Sequence, residues 1–144
     1  MAADRAFLDS NVICYLFGSD PAKGDRAGEL LEGRAVVSVQ VLAEVCHVAS
    51  RKAKLTWAEI EEVMAVVTKL SDVVPLTADI QAHARQVAAQ TGYTIYDAQI
   101  VAAAMAAGCA CLWSEDFQGG HRLSGPTSPL VIRNPFAGED ARGA

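Results

Sequence analysis

Apolar positions along the chain form two kinds of pattern. Short continuous apolar runs bounded by turn residues predict buried strands, whereas apolar residues spaced at i, i+3, i+4 and i+7 predict helices. After Ser38, for example, Leu42, Val45, Cys46 and Ala49 fall on one helical face. The predicted strands are 5–8, 34–37, 72–76, 109–113 and 130–133, and the predicted helices are 11–17, 21–32, two that begin after Ser38 and Thr56, 77–92 and 94–107.

This alternation of strands and helices predicts an α/β fold, a single-domain three-layer α/β/α sandwich with a central parallel sheet. A length of 144 residues fits one domain. We place that domain at residues 1–136 and predict a flexible tail at 137–144, where glycine and charged residues replace the apolar pattern. Folds of this kind bind ligands at the carboxyl ends of their strands.

Composition and charge narrow the functional classes. No apolar run is long enough for a signal peptide or a membrane span, and the longest, 100–113, is interrupted by Gly108. We therefore expect a cytoplasmic protein with no membrane association, whose four cysteines are reduced and packed as small apolar residues. The net charge of −5 is unusual for a nucleic-acid binder, unless the acids hold a metal ion that meets phosphate.

Four acidic residues fall where the predicted fold would gather them. Asp9 and Asp116 follow strands, whereas Glu44 and Asp97 lie in the early turns of helices that can direct them to the same edge of the sheet. Carboxylates held close together repel one another, and a divalent cation removes that penalty. Oxygen ligands alone favour Mg²⁺ or Mn²⁺, and one or two such ions can assist hydrolysis of a phosphodiester.

Each acid also has an ordinary structural explanation. Asp9 and Asp116 can be turn residues, and Asp9 can also cap the helix that follows it. Glu44 can be a solvated residue on a polar helical stripe. Asp97 can be a first-turn acid favoured by the helix dipole. The metal hypothesis therefore depends on all four residues meeting at one place.

Four segments together resemble the motifs of the PIN domain family, and they occur in the order found in that family. They are FLDSNV at 7–12, VSVQVLAEV at 37–45, YDA at 96–98 and LWSEDF at 112–117. The resemblance extends over roughly residues 5–135. It implies a divalent-metal nuclease that cuts RNA, and a chain this short resembles the VapC toxins of toxin–antitoxin pairs. That likeness further implies a homodimer and a small protein antitoxin that obstructs the site.

The resemblance also assigns roles to residues of this chain. Asp9, Glu44, Asp97 and Asp116 match the family's acids, and we expect Asp9 and Asp97 to be the principal metal ligands. Three polar positions match those that orient carboxylates or water: Asn11, Ser38 and Ser114. Glu115 departs from the pattern, because it stands beside Asp116 and can also supply the fourth carboxylate. The motif spacing favours Asp116.

A tight basic cluster follows the helix that bears Glu44. Arg51, Lys52 and Lys54 can hold an RNA backbone, and they can equally form a solvated helix end. The sequence does not separate these two interpretations.

Three other functions compete with the nuclease. A receiver-like module would bind Mg²⁺ beside a phosphorylatable Asp9, but it usually has a lysine after its last strand, where this chain has Arg133-Asn134-Pro135. A haloacid-dehalogenase-type phosphatase needs a second aspartate at the place of Asn11. A PIN fold that has lost catalysis would only bind partners, and the complete acid set argues against it.

Overall fold

The strands and helices of the computed structural model follow the predicted alternation, and the model describes residues 5–117, 121–126 and 129–137. The predicted tail at 137–144 lies outside the described residues apart from Ala137, as do the first four residues of the predicted domain. The strands are β1 (Ala6–Leu8), β2 (Ala35–Ser38), β3 (Ser71–Val74), β4 (Cys111–Trp113), β5 (His121–Leu123) and β6 (Leu130–Arg133). The helices are α1 (Ser10–Ile13), α2 (Pro21–Glu32), α3 (Val39–Arg51), α4 (Trp57–Leu70), α5 (Ala78–Thr91) and α6 (Ile95–Ala106), and a 3₁₀ turn, Cys14–Phe17, follows α1.

The described strands form one sheet in the order β3-β2-β1-β4-β6-β5. All neighbouring pairs are parallel except β5 with β6, which is antiparallel. The predicted central parallel sheet is therefore confirmed, with one correction: it carries an antiparallel edge strand that the sequence pattern did not reveal. His121-Arg122-Leu123 has no apolar run or alternation, and its strand conformation depends on pairing with β6.

Burial along the central strands confirms the three layers. All four residues of β2 are buried, although successive side chains of a strand point to opposite faces. Both faces of the sheet are therefore covered. Helix α6 is buried on all sides from Ala98 to Met105, as its continuous apolar composition predicted.

Side-chain caps explain where most of the helices begin. Asp20, Ser38, Thr56, Thr77 and Thr94 each accept a hydrogen bond from a backbone N–H three residues further on. Such caps satisfy N–H groups that would otherwise have no partner at a helix start. The predicted capping box of Thr56 with Glu59 is present in full.

Several element boundaries differ from the prediction. Arg34 has a φ of 60°, so β2 begins one residue later, at Ala35. The predicted helix 11–17 is divided into α1 and the 3₁₀ turn. Strand β3 covers 71–74 rather than 72–76, and β4 begins at Cys111 rather than Cys109.

Two expectations drawn from composition can also be compared with the structure. Of the four cysteines, Cys109 is buried, whereas Cys14, Cys46 and Cys111 are half-buried. Within the ranges that the structure describes, no helix has both the length and the apolar character needed to cross a membrane.

Candidate metal centre

Asp9 is held at the carboxyl end of β1, where that strand pairs with β4. Its backbone N–H donates to the Trp113 carbonyl at 3.0 Å, which extends the pairing of Leu8 with Trp113 by one residue. Asp9 is only 4% exposed, and both of its carboxylate oxygens accept hydrogen bonds. Oδ1 accepts from the Ser10 backbone N–H at 2.8 Å, and Oδ2 accepts from the Ser114 hydroxyl at 2.8 Å.

Two of the predicted supporting residues, Asn11 and Ser114, join Asp9 to the loop after β4. The Asn11 amide donates to Asp9 Oδ2 at 3.3 Å and to Ser114 Oγ at 3.0 Å, and its oxygen accepts from the Glu115 N–H at 3.0 Å. Ser114 Oγ in turn accepts from the Asp116 N–H at 3.2 Å. The network fixes the backbone of the acidic loop relative to Asp9.

Electrostatic coupling links the four predicted acids. Burial raises the pKa of Asp9 to about 6; hydrogen bonds from Ser114 and Ser10 oppose this effect, and the charges of Glu44 and Asp116 add to it. The pKa of Asp97 is also raised, first by burial and then by the charge of Asp116. Asp116 therefore lies close enough to influence both aspartates, and Glu44 close enough to influence Asp9.

None of these acids has a cationic partner among the residues that the structure describes. In the described part of the chain, no lysine, arginine or histidine forms a salt bridge with Asp9, Glu44, Asp97 or Asp116. Nor do three acidic, histidine or cysteine side chains of that part come close enough together to hold a single ion directly. The structure thus brings the four carboxylates within electrostatic range without closing them into one compact ligand set.

A pair of glutamines that the sequence analysis did not select connects the two acid-bearing helices. The Gln99 amide of α6 donates to Gln40 Oε1 of α3 at 2.8 Å. The Gln40 amide then donates to the Glu44 carboxylate at 3.2 Å and to the Tyr96 carbonyl at 3.1 Å. Gln40 thereby links Glu44, through hydrogen bonds, to the residue immediately before Asp97. The available signal was the position of Gln40 four residues before Glu44, on the same polar stripe.

Ser38, the third supporting residue, has a structural role in the hydrogen bonds observed. It is 1% exposed, and its hydroxyl accepts from the Val41 N–H at 3.2 Å as the cap of α3. Ser38 therefore fixes the start of the helix that bears Glu44.

Glu115 is directed into a separate cluster. Lys23 Nζ lies 2.8 Å from Glu115 Oε2, and the Tyr15 hydroxyl donates to Glu115 Oε1 at 2.6 Å. Lys23 also lies over the rings of Tyr15 and Phe136, 4.8 and 5.1 Å from their centroids. Glu115 therefore has a cationic partner, whereas its exposed neighbour Asp116 has none within the described ranges.

The three basic residues of the predicted RNA-binding cluster are all exposed, but they differ in position. Lys52 lines a cavity of about 600 Å³ together with Ser10, Asn11, Cys14 and Asp116, among others. Arg51 and Lys54 do not line it. The structure therefore separates Lys52 from the other two as a residue beside the acidic site.

Comparison with protein families assigns the chain to a known family. Residues 6–118 match the family model described as the PIN domain, so the chain belongs to the PIN domain family. The match spans all four acids, and it weighs against the receiver-like and phosphatase alternatives. Comparison of the sequence with curated proteins found no match.

Solved structures share the fold. The chain is similar to VapC20 of Mycobacterium tuberculosis, described as a toxin that cleaves the sarcin-ricin loop, with 19% identity, a TM-score of 0.63 and coverage of 77% of this chain and 91% of that one. It is also similar to VapBC2 of Rickettsia felis, with 17% identity, a TM-score of 0.63 and coverage of 90% and 98%. VapBC of Salmonella typhimurium has 20% identity, a TM-score of 0.62 and coverage of 90% and 97%. The predicted three-layer fold is thus confirmed as a PIN fold.

Proposed function

We propose that this protein is a metal-dependent endoribonuclease that hydrolyses RNA phosphodiester bonds. The observation that supports the proposal most directly is that buried Asp9 shares its edge of the sheet with carboxylates that lack a cationic partner among the described residues. The pKa of Asp9 is raised to about 6, first by burial and then by the charges of Glu44 and Asp116. A group of acids held in this way is stabilised by a divalent cation. Membership of the PIN domain family supports the same chemistry.

Asp9 and Asp97 are the proposed principal ligands of Mg²⁺ or Mn²⁺, and Glu44 and Asp116 complete the site directly or through water. All the donor atoms are oxygens, which suits these hard cations. When bound, such an ion supplies positive charge that polarises the phosphodiester and lowers the pKa of water.

The residues around the acids have supporting functions in this proposal. Ser114, Asn11 and the Ser10 N–H hold the Asp9 carboxylate in one orientation. Gln40 does the same for Glu44. Such hydrogen bonds reduce the reorganisation that metal binding and substrate binding would otherwise require.

We further propose that the protein is the toxin of a VapBC-type pair. The fold similarity to the toxin VapC20 and to VapBC assemblies supports this assignment. On this proposal the partners are an RNA substrate, a small protein antitoxin that blocks the acidic site, and a second copy of the chain in a homodimer. On the same proposal, the protein acts in the cytoplasm, where its RNA substrate and its antitoxin would be made.

Cleavage of RNA with and without EDTA tests the proposed activity. Purified protein freed of antitoxin should cut a mixture of structured and single-stranded RNAs in 5 mM Mg²⁺ or Mn²⁺, and EDTA should abolish the products. Restoring the ion in excess over EDTA should restore cleavage. Cleavage that persists unchanged in EDTA would contradict the metal requirement, and no cleavage of any RNA would favour an inactive PIN fold that only binds partners.

Substitution of the two neighbouring acids of the fourth motif should affect RNA cleavage to different extents. Asp116→Ala should lower kcat/KM for RNA by roughly 100-fold, about 2.7 kcal/mol, because it removes a carboxylate of the acidic site. Glu115→Ala should lower kcat/KM only a few-fold, because Glu115 pairs with Lys23 in a partly exposed ion pair of small energetic value. Steady-state kinetics of both variants checks the order, and the reverse order would assign the fourth site acid to Glu115.

Lys52 and Lys54 form a matched pair for testing contact with the RNA backbone. Lys52→Ala should weaken RNA binding and reduce the slope of log(kcat/KM) against log salt by roughly one, because a phosphate contact releases about one counterion. Lys54→Ala removes the same charge away from the cavity and should leave the slope unchanged. Equal slopes for the two variants would remove Lys52 from the proposed interface.

A further inference from the structure

Tyr96 is an exposed aromatic residue in the first turn of α6, a helix that is buried from Ala98 to Met105. Its side chain is 67% exposed, the highest value among the large hydrophobic side chains of the described residues, whereas Ala98 to Met105 of the same helix are buried. Single exposed hydrophobic residues are common and need no explanation on their own. The position of Tyr96 does need an explanation, because the next residue along the chain is Asp97.

The backbone of Tyr96 is fixed to the acidic site from both sides. The Tyr96 carbonyl accepts a hydrogen bond from the Gln40 amide at 3.1 Å, and that same amide nitrogen donates to the Glu44 carboxylate at 3.2 Å. Thr94 caps the helix by accepting from the Asp97 N–H at 3.2 Å. The exposed ring therefore belongs to a residue whose backbone is hydrogen-bonded to the glutamine that holds Glu44 and that directly precedes Asp97.

A phosphodiester held at these acids would bring the bases of the neighbouring nucleotides to the same region. Unpaired RNA bases stack on exposed aromatic side chains, and such stacking tolerates any base because every base has a π face. A tyrosine adds large contact area with little loss of side-chain freedom. This chain has few aromatic residues, 6% of its sequence, so an exposed aromatic residue directly before Asp97 is a distinct feature.

We propose that Tyr96 is a substrate-positioning residue, whose ring stacks on an RNA base next to the scissile phosphate. The inference rests on the proposed ribonuclease activity and adds a residue that holds the nucleotide beside the reacting group. On this proposal the base is held by stacking and not by specific hydrogen bonds. This contact alone therefore confers little sequence preference.

A protein partner fits the Tyr96 ring less well than an RNA base does. Val39, 50% exposed, is the other large hydrophobic residue exposed at the start of α3 or α6. Two such side chains supply much less area than the roughly 1,000 Å² that a specific protein interface buries. The remaining exposed large hydrophobics lie on α4, on β3 or just after it: Trp57, Val66, Leu70, Val73 and Leu76.

Variants at position 96 combined with abasic RNA test the proposal. The substrate is a short RNA cut at one mapped bond, with an abasic nucleotide placed in turn on each side of that bond. On the intact RNA, Tyr96→Ala should raise KM roughly 10-fold or more with a smaller change in kcat, and Tyr96→Phe should retain near-parent values because the ring remains. On the RNA that lacks the stacked base, the parent and Tyr96→Ala should become alike, because neither can form the contact.

Further measurements separate this role from others. The thermal midpoint should be unchanged in both variants, because the ring is mostly exposed. Equal KM values for the parent and Tyr96→Ala would overturn the stacking role while leaving the ribonuclease proposal intact, and so would a loss in Tyr96→Ala that persists on every abasic RNA. Tyr96→Ala that instead dissociates a dimer formed by the parent would assign the ring to a contact between copies. A parent protein inactive on all RNA would overturn both proposals.

Discussion

Asp9→Asn is expected to lower kcat for RNA cleavage in Mg²⁺ by roughly 10³-fold. The substitution keeps the side chain's shape but removes the charge of the acid that lies deepest in the site, at 4% exposure. Loss of a ligand that holds the ion forfeits several kcal/mol of transition-state stabilisation, and about 4 kcal/mol corresponds to this factor. Single-turnover cleavage of a 5′-labelled RNA measures the loss directly.

The control for this prediction removes an aspartate charge elsewhere. Asp25 is exposed on α2, so Asp25→Asn changes the net charge of the protein by the same amount without touching the site. It should cut at the parent rate. Asp97→Asn should behave like Asp9→Asn, since both residues are proposed principal ligands. An Asp9→Asn protein that retains the parent rate while correctly folded would show that the assigned ligand is wrong.

The sequence was sufficient for the features that depend on local chemistry and on the general geometry of parallel sheets. Capping residues such as Ser38 and Thr94 mark helix starts, and the carboxyl ends of neighbouring parallel strands bring Asp9 and Ser114 together across more than one hundred residues. Strand β5 could not be predicted, because its short polar segment becomes a strand only by pairing with β6.

The side-chain network around the acids was harder to predict than their positions. The bond between Gln40 and Gln99 depends on how α3 and α6 pack, which neither helix pattern specifies. The pairing of Glu115 with Lys23 likewise depends on the position of α2. The motif spacing favoured Asp116 as the fourth acid without excluding Glu115, whereas tertiary contacts give Glu115 a cationic partner.

Metal-free protein should be less stable at neutral pH than its Asp9→Asn variant, in contrast to the usual cost of altering a buried polar residue. Burial raises the pKa of Asp9 from 3.8 to about 6, so its ionised form penalises the folded state by roughly 3 kcal/mol above pH 6. As the pH falls through 6, the carboxyl takes up a proton and the penalty decreases; it disappears below about pH 4. Asparagine is neutral throughout, so its advantage over aspartate should be largest at pH 8, roughly half as large at pH 5 and near zero at pH 3.

Urea unfolding in EDTA at these pH values measures the difference, with Asp25→Asn as the matched control that should show none of this pH dependence. Adding Mg²⁺ at pH 8 should then reverse the order, because an ion that binds only the folded parent stabilises it by about 2.7 kcal/mol at one hundred times its dissociation constant. The variant should gain much less from the same ion. This reversal separates an acid that awaits a cation from one that is merely buried: a merely buried aspartate would leave the variant more stable in Mg²⁺ as well as in EDTA.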